Sequence, residues 1–235
     1  MNPIVRNIPN TITCINILSG CVAIVAASKG TQPLWGLQAF QWAFIFIAIG
    51  AVADFLDGFA ARALHAYSNL GKELDSLCDL VTFGVAPAMI MFHLLEGMGV
   101  AAWMPWATLL IPISGAVRLA RFNIDTRQTT YFIGMPIPAN AIFWIGYAAT
   151  MTAGVGAFSE WYIFLPILII ECWLMNAPMK MFSLKIKDFS LKKIAPQLML
   201  VAAAIILCIT LGVGGLMWLM LFYIVLSVIC SNKIG

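Results

Sequence analysis

Eight apolar runs follow one another along the chain with only short polar breaks between them, and this constrains the fold more than any other feature. They lie near residues 12–28, 37–64, 74–95, 100–120, 138–157, 161–178, 197–213 and 215–231. A membrane helix needs about 20 apolar residues, so eight spans and their connections use up all 235 residues and leave no room for a separate soluble domain. Composition agrees, with 62% hydrophobic and 10% charged residues and a mean hydropathy of +0.96. A soluble domain runs at about 45–50% apolar and about 25% charged. The apolar surplus must face lipid, which excludes a water-soluble enzyme, a disordered chain and a nucleic-acid-binding module. The expected fold is an all-α integral membrane bundle of about eight transmembrane helices, with residues 1–235 as a single membrane-embedded domain. The first run resembles a signal peptide, with Arg6 before it and Ala26-Ala27-Ser28 at its end. Its polar residues and the seven spans behind it read it instead as a retained helix.

Charge placement orients the bundle. With the N-terminus inside, the cytoplasmic segments hold Arg6, Arg62, Lys72, Arg118, Arg121, Arg127, Lys180, Lys185, Lys187, Lys192, Lys193 and Lys233. That is twelve of the thirteen basic residues, leaving Lys29 outside, and the positive-inside rule then puts both termini in the cytoplasm. The lysine-rich interval Lys180–Gln197 reads either as a solvated connector or as a segment held on the anionic inner leaflet. Cys14, Cys21, Cys78, Cys172, Cys208 and Cys230 form no C-x-x-C pair and read as buried, inert thiols. His65 and His93 read as surface histidines, and Trp103-Met104-Pro105-Trp106 as part of an interfacial aromatic belt.

The charge inside the apolar runs carries the chemistry. Of six aspartates, four fall between positions 54 and 79: Asp54 and Asp57 deep in the second run, Asp75 and Asp79 at the start of the third. An ionised carboxylate at membrane depth costs about 2.5–3.5 kcal/mol on insertion scales, so such residues default to a functional reading. Asp54 and Asp57 are three apart, with Gly58, Ala61 and Arg62 continuing their face, and Asp75 and Asp79 are four apart. A short connection makes the two helices antiparallel neighbours, so four carboxylates converge near the cytoplasmic surface. They cannot all stay ionised unaided. Interhelical hydrogen bonding or a proton relay is one resolution; divalent cations are the other. All-oxygen sites of this kind suit Mg²⁺, Mn²⁺ or Ca²⁺, and two such ions would offset four carboxylates. Gly58 and Ala61 keep the face shallow for a large ligand, Arg62 stands ready for an anion, and Gly71 thins the entrance to the third span.

The run Asp54-x-x-Asp57-Gly58-x-x-Ala61-Arg62, eight residues, Gly71-x-x-x-Asp75-x-x-x-Asp79 resembles the signature of the CDP-alcohol phosphotransferase family at every fixed position. Pro9-Asn10-x-x-Thr13-x-x-Asn16-x-x-x-Gly20 resembles the family's first-helix motif, associated with the cytidine end of the nucleotide. The looser segments Leu80–Ala88, Arg118–Asn123 and Gly134-Met135-Pro136-Ile137-Pro138-Ala139 resemble its phosphatidylserine synthase branch. The likeness runs to about residue 180 and thins over the accessory C-terminal spans, about 197–231. The resemblance implies a multi-pass enzyme of the cell membrane with its active site facing the cytoplasm. By the same resemblance, Asp54, Asp57, Asp75 and Asp79 hold two divalent cations, Mg²⁺ or Mn²⁺ with Ca²⁺ able to stand in within a crystal. Asp79 is also the base that activates the acceptor hydroxyl, and Asn10, Thr13, Asp57, Gly58, Ala61, Arg62 and Gly71 bind the CDP portion of the donor.

The reaction so implied is CDP-diacylglycerol plus L-serine giving phosphatidylserine and CMP, in the presence of membrane lipids and with a homodimer as the family's usual assembly. Arg118, Arg121 and Asn123 are candidate serine-binding residues, the arginines engaging its carboxylate by forked hydrogen bonds. They read equally as anchors that snorkel to the interface. Glycerol 3-phosphate or an inositol phosphate as acceptor, and an archaeal-type lipid donor, would share the same metal motif. A cation or proton transporter using the buried aspartates belongs to a different class, against which stand the missing internal repeat and the off-centre depth of the acids.

Overall fold

The computed structural model describes residues 3–125, 132–154, 156–181 and 191–231. The chain divides into two compact units, Met1–Leu119 and Ala120–Gly235. The first unit is built on two long helices, α1 (Pro3–Ala27) and α2 (Ala39–Ala63), packed along each other. Both carry small buried residues, Ala23, Ala26 and Ala27 on α1 and Ala39, Ala43 and Ala53 on α2. In lipid no hydrophobic force drives helices together, so close backbone approach over small side chains supplies the attraction instead. A tight hairpin joins the pair, β1 (Pro33–Leu34) against β2 (Leu37–Gln38), turning through Trp35 and Gly36 at positive φ. Trp42 Nε1 donates to the Leu34 carbonyl at 2.7 Å and ties that hairpin to α2.

At the other end α2 unwinds through Leu64 and His65, the latter exposed and left-handed at φ 51°, before Ser68 opens α3 (Asn69–Asp79). The Ser68 hydroxyl caps α3 by accepting the Gly71 N–H at 2.9 Å. Helical structure then continues through a wide π turn, Leu80–Val85, into α4 (Ala86–Gly97). The cause is local: Pro87 in the first turn of α4 has no N–H and would clash with the carbonyl four residues back. The Ala86 N–H instead reaches back five residues to Val81, widening the turn. Such single π turns concentrate at functional sites. A short α5 (Met104–Ala107) precedes α6 (Leu110–Ile124), so the fourth apolar run is two helices rather than one. His93 pairs with Glu96 at 3.1 Å, and Trp103 and Trp106 are exposed.

In the second unit β3 (Phe132–Ile133) pairs with β4 (Lys180–Met181). Helix α7 (Ile137–Ala153) carries the aromatic core of Phe143, Trp144 and Tyr147, and Phe164 of α8 (Phe164–Asn176) packs on Trp144. Helices α9 (Leu191–Leu211) and α10 (Gly215–Ser231) form the last hairpin, and α10 lies so close on α7 that a Cβ at Gly146 would meet the Met217 backbone. Most of Lys180–Gln197 (182–190) lies outside the described residues, as do Arg127 and Lys233.

Among the described residues, four stretches are long and apolar enough to cross a membrane: Asn7–Ala27, Ala39–Ala63, Asn69–Gly97 and Pro196–Ile229. Trp161–Asn176 is a shorter apolar helix. The protein is a predominantly helical membrane protein, and the two strand pairs among the described residues are each only two residues long. The cysteines differ from expectation. Among the described residues, Cys14, Cys21 and Cys208 lie on the exterior of their helices, Cys172 is half-buried and Cys78 is buried, and all five are free thiols. An apolar thiol facing lipid needs no protein core to shield it.

Candidate active site

The acidic residues sit where the helical period aims them. Along α2, Gly50, Ala53 and Asp57 form the buried stripe, with Asp54 at its edge; α3 presents Asp75 and the buried Asp79. Because the turn at Leu64–Ser68 reverses the chain, the two pairs meet. One carboxylate oxygen each from Asp54, Asp57 and Asp75 lies within 4.8 Å of the others. Carboxylates this close make one another's ionisation costly, and a proton or a cation between them relieves that cost. Asp75 Oδ1 is buried and has no hydrogen-bond partner. An orphaned oxygen beside two further carboxylates fits a hard divalent cation, whose ligands are all oxygen.

Asp79 stands apart from that trio. One turn further along, it is buried and accepts a hydrogen bond from Asn16 Nδ2 at 3.2 Å, while remaining within Coulombic reach of Asp54 and Asp75. Helix α1 also contributes Thr13, whose buried hydroxyl lies 2.5 Å from Asp57 Oδ2, donating to it, and 3.0 Å from the Pro9 carbonyl. The site is thus built from α1, α2 and α3 of one unit.

A cavity of about 440 Å³ opens beside the carboxylates. Seven residues expected at the site line it: Asn10, Thr13, Asp57, Gly58, Ala61, Gly71 and Asp75. Arg62 is exposed at its edge, its guanidinium Nη1 3.6 Å from where a Gly58 Cβ would stand. Tyr67, Ser68, Asn69 and Lys72 also line the cavity and carry no expectation from sequence. Three of them occupy the eight unspecified positions of the signature; the Ser68-Asn69 helix start was the one local signal available. Arg118 is buried on α6 but is not among the cavity-lining residues. Arg121 and Asn123 belong to the second unit, where Arg121 Nη1 donates to the Asn176 carbonyl at 3.3 Å.

Gly58 needs a ligand to explain it. An added Cβ would meet only Arg62, at ordinary contact distances of 3.6 and 3.8 Å, so nothing in the chain itself demands glycine there. Gly58→Ala should therefore fold with an unchanged Tm in detergent. It should still raise the KM for the cavity's ligand about tenfold, the equivalent of about 1.4 kcal/mol. An unchanged KM would remove Gly58 from the binding surface.

Fold and site together define a helical membrane protein with a cluster of carboxylates able to hold a divalent cation, opening on a cavity. The chain belongs to the CDP-alcohol phosphatidyltransferase family, whose model matches residues 6–176 and so takes in every residue of this site. It is 32% identical over 233 residues to the CDP-diacylglycerol–serine O-phosphatidyltransferase of Mycobacterium leprae, an alignment covering 95% of this chain and 72% of that one. The enzyme of the same name from Bacillus subtilis is 39% identical over 135 residues, 56% of this chain and 69% of that one. That of Saccharomyces cerevisiae is 36% identical over 178 residues, 68% and 63% respectively.

Proposed function

We propose that this protein is a CDP-diacylglycerol–serine O-phosphatidyltransferase, moving the phosphatidyl group of CDP-diacylglycerol to the hydroxyl of L-serine with release of CMP. The observation that carries this reading is the trio of Asp54, Asp57 and Asp75 beside a cavity walled by Asn10 and Thr13, in a chain similar along most of its length to enzymes of that name. The whole of 1–235 acts as one membrane-embedded catalytic domain of eight spans, with both termini and the active site on the cytoplasmic side of the cell membrane. Twelve of thirteen basic residues on that side support the orientation.

Asp54, Asp57 and Asp75, with Asp79, would hold two divalent cations, Mg²⁺ or Mn²⁺, which when bound neutralise the pyrophosphate and stabilise the oxygen of the departing CMP. The chain's own residues do the rest. Thr13 holds Asp57 by its hydroxyl, fixing one carboxylate of the cluster. Gly58 and Ala61 let the nucleotide approach the α2 backbone, and Arg62 at the edge meets its negative charge. Asp79, held by Asn16, accepts the proton of the serine hydroxyl as its oxygen bonds to the lipid-bearing phosphorus and the bond to CMP breaks. Positioning and charge dominate such phosphoryl transfers.

The test is CMP release by the purified protein in liposomes with CDP-diacylglycerol and Mn²⁺ or Mg²⁺. Release is expected with serine and not with glycerol 3-phosphate or inositol phosphate. Release with glycerol 3-phosphate alone would overturn the acceptor while keeping the class of reaction. For the serine subsite, Arg118→Ala and Arg121→Ala should each raise the KM for serine about tenfold, leaving that for CDP-diacylglycerol unchanged. Two unaltered serine KM values would assign both arginines to the interface.

A further inference from the structure

Asn16 is fully buried in α1, in an otherwise apolar stretch between Ile15 and Ile17, and makes two hydrogen bonds to other segments there. Its Nδ2 donates to Asp79 Oδ1 at 3.2 Å, the one side-chain hydrogen bond of Asp79 among the described residues. Its backbone carbonyl accepts from Thr82 Oγ1 at 3.0 Å, binding α1 to the wide turn that begins directly after Asp79. Its Oδ1 is buried without a partner and faces α2, 3.0 Å from the place a Gly50 Cβ would occupy.

The surroundings are shaped for this arrangement. A Cβ at Gly20 would come within 2.8 Å of Thr82 Cα, and one at Gly50 within 2.5 Å of Thr82 Cγ2. Glycine at 20 lets the backbone of the wide turn close on α1, and glycine at 50 leaves room on α2 for the Thr82 methyl group and the Asn16 amide. The apolar cost of an amide with one oxygen unmatched is retained here for what its nitrogen does. Without that donor the Asp79 carboxylate could swing toward Asp54 and Asp75, away from any acceptor hydroxyl.

We propose that Asn16 is a positioning residue for the transfer reaction, its amide aiming Asp79 while Thr82 fixes the α1 segment that carries it. This rests on the reading of Asp79 as the base. Outer partners of this kind lose about 10–100-fold on removal.

The experiment compares Asn16→Ala and the near-isosteric Asn16→Leu with the parent and with Asp79→Asn, in detergent and in liposomes. Three quantities are read: kcat, the KM for CDP-diacylglycerol, and the Mn²⁺ dissociation constant from electron paramagnetic resonance. Both Asn16 variants should elute as a single species, keep the KM for CDP-diacylglycerol within about threefold, and lose about 10–100-fold in kcat. They should lose less in Mn²⁺ affinity than in kcat, because Asp54, Asp57 and Asp75 are untouched. Parental kcat in both variants overturns the proposal. So does loss of Mn²⁺ affinity in step with kcat, or failure of both variants to fold, since either marks Asn16 as structural packing only. If Asp79→Asn turns over like the parent, the base reading itself has failed; an inactive Asp79→Asn beside fully active Asn16 variants overturns the role of Asn16 alone.

Discussion

Asp75→Asn is expected to reduce Mn²⁺-dependent CMP release by about 10³-fold or more, at least about 4 kcal/mol of barrier at about 1.4 kcal/mol per tenfold. The substitution is isosteric and removes one negative charge from a cluster whose ligand oxygens lie within 4.8 Å of one another. Loss of activity alone would not separate a metal ligand from a structural acid, but stability does. In the absence of divalent cation the variant should be as stable as the parent or more so, because a like-charge contact with Asp54 and Asp57 has gone. Adding Mn²⁺ should raise the Tm of the parent, since a ligand at 100 times its Kd contributes about 2.7 kcal/mol. The same addition should leave Asp75→Asn unmoved. A variant less stable without metal, and still stabilised by Mn²⁺, would show that Asp75 is interhelical glue and would sink the metal reading.

Gly20→Ala should damage the protein by a different route. The new methyl group would stand 2.8 Å from Thr82 Cα, and backbone cannot rotate away as a side-chain end can. Either α1 shifts off the wide turn or the turn deforms, at a cost of about 1–3 kcal/mol. For a chain of this size each kcal/mol moves Tm by about 2–4 °C, so a fall of several degrees in detergent is expected. Separation of the two segments also breaks the Thr82 hydroxyl bond to the Asn16 carbonyl, so kcat should fall at least tenfold with it. Gly58→Ala is the counterpart, with Tm kept and ligand affinity lost. Thermal shift and kinetics on the pair therefore sort one glycine to packing and the other to binding. Parental Tm and kcat in Gly20→Ala would refute the close approach.

The regions of the chain differ in how far sequence alone reaches. The apolar runs and the D-x-x-D and D-x-x-x-D spacings lead directly to membrane helices and to acids on facing sides, because both rest on a helical period that holds along α2 and α3. That reasoning extends Asp79 into the same cluster as Asp75 by its spacing of one turn. In the structure the closest trio is Asp54, Asp57 and Asp75, while Asp79 is held by Asn16 from α1. No periodicity reveals that contact, since 63 positions separate the two residues. Tyr67 was equally out of reach, because its place on the cavity wall depends on the loop's path, and the helix start at Ser68-Asn69 was legible without showing that it faces the cavity.

By itself the sequence determined that this chain lies in a membrane and carries acids there that need a counter-charge, since transfer cost and charge are properties of residues summed locally. Only the tertiary structure decided which carboxylates lie close enough to share a cation and which one stands apart. That choice depends on the widened turn forced by Pro87 and on how closely three helices approach over Gly20 and Gly50, distances that exist only once distant segments have packed.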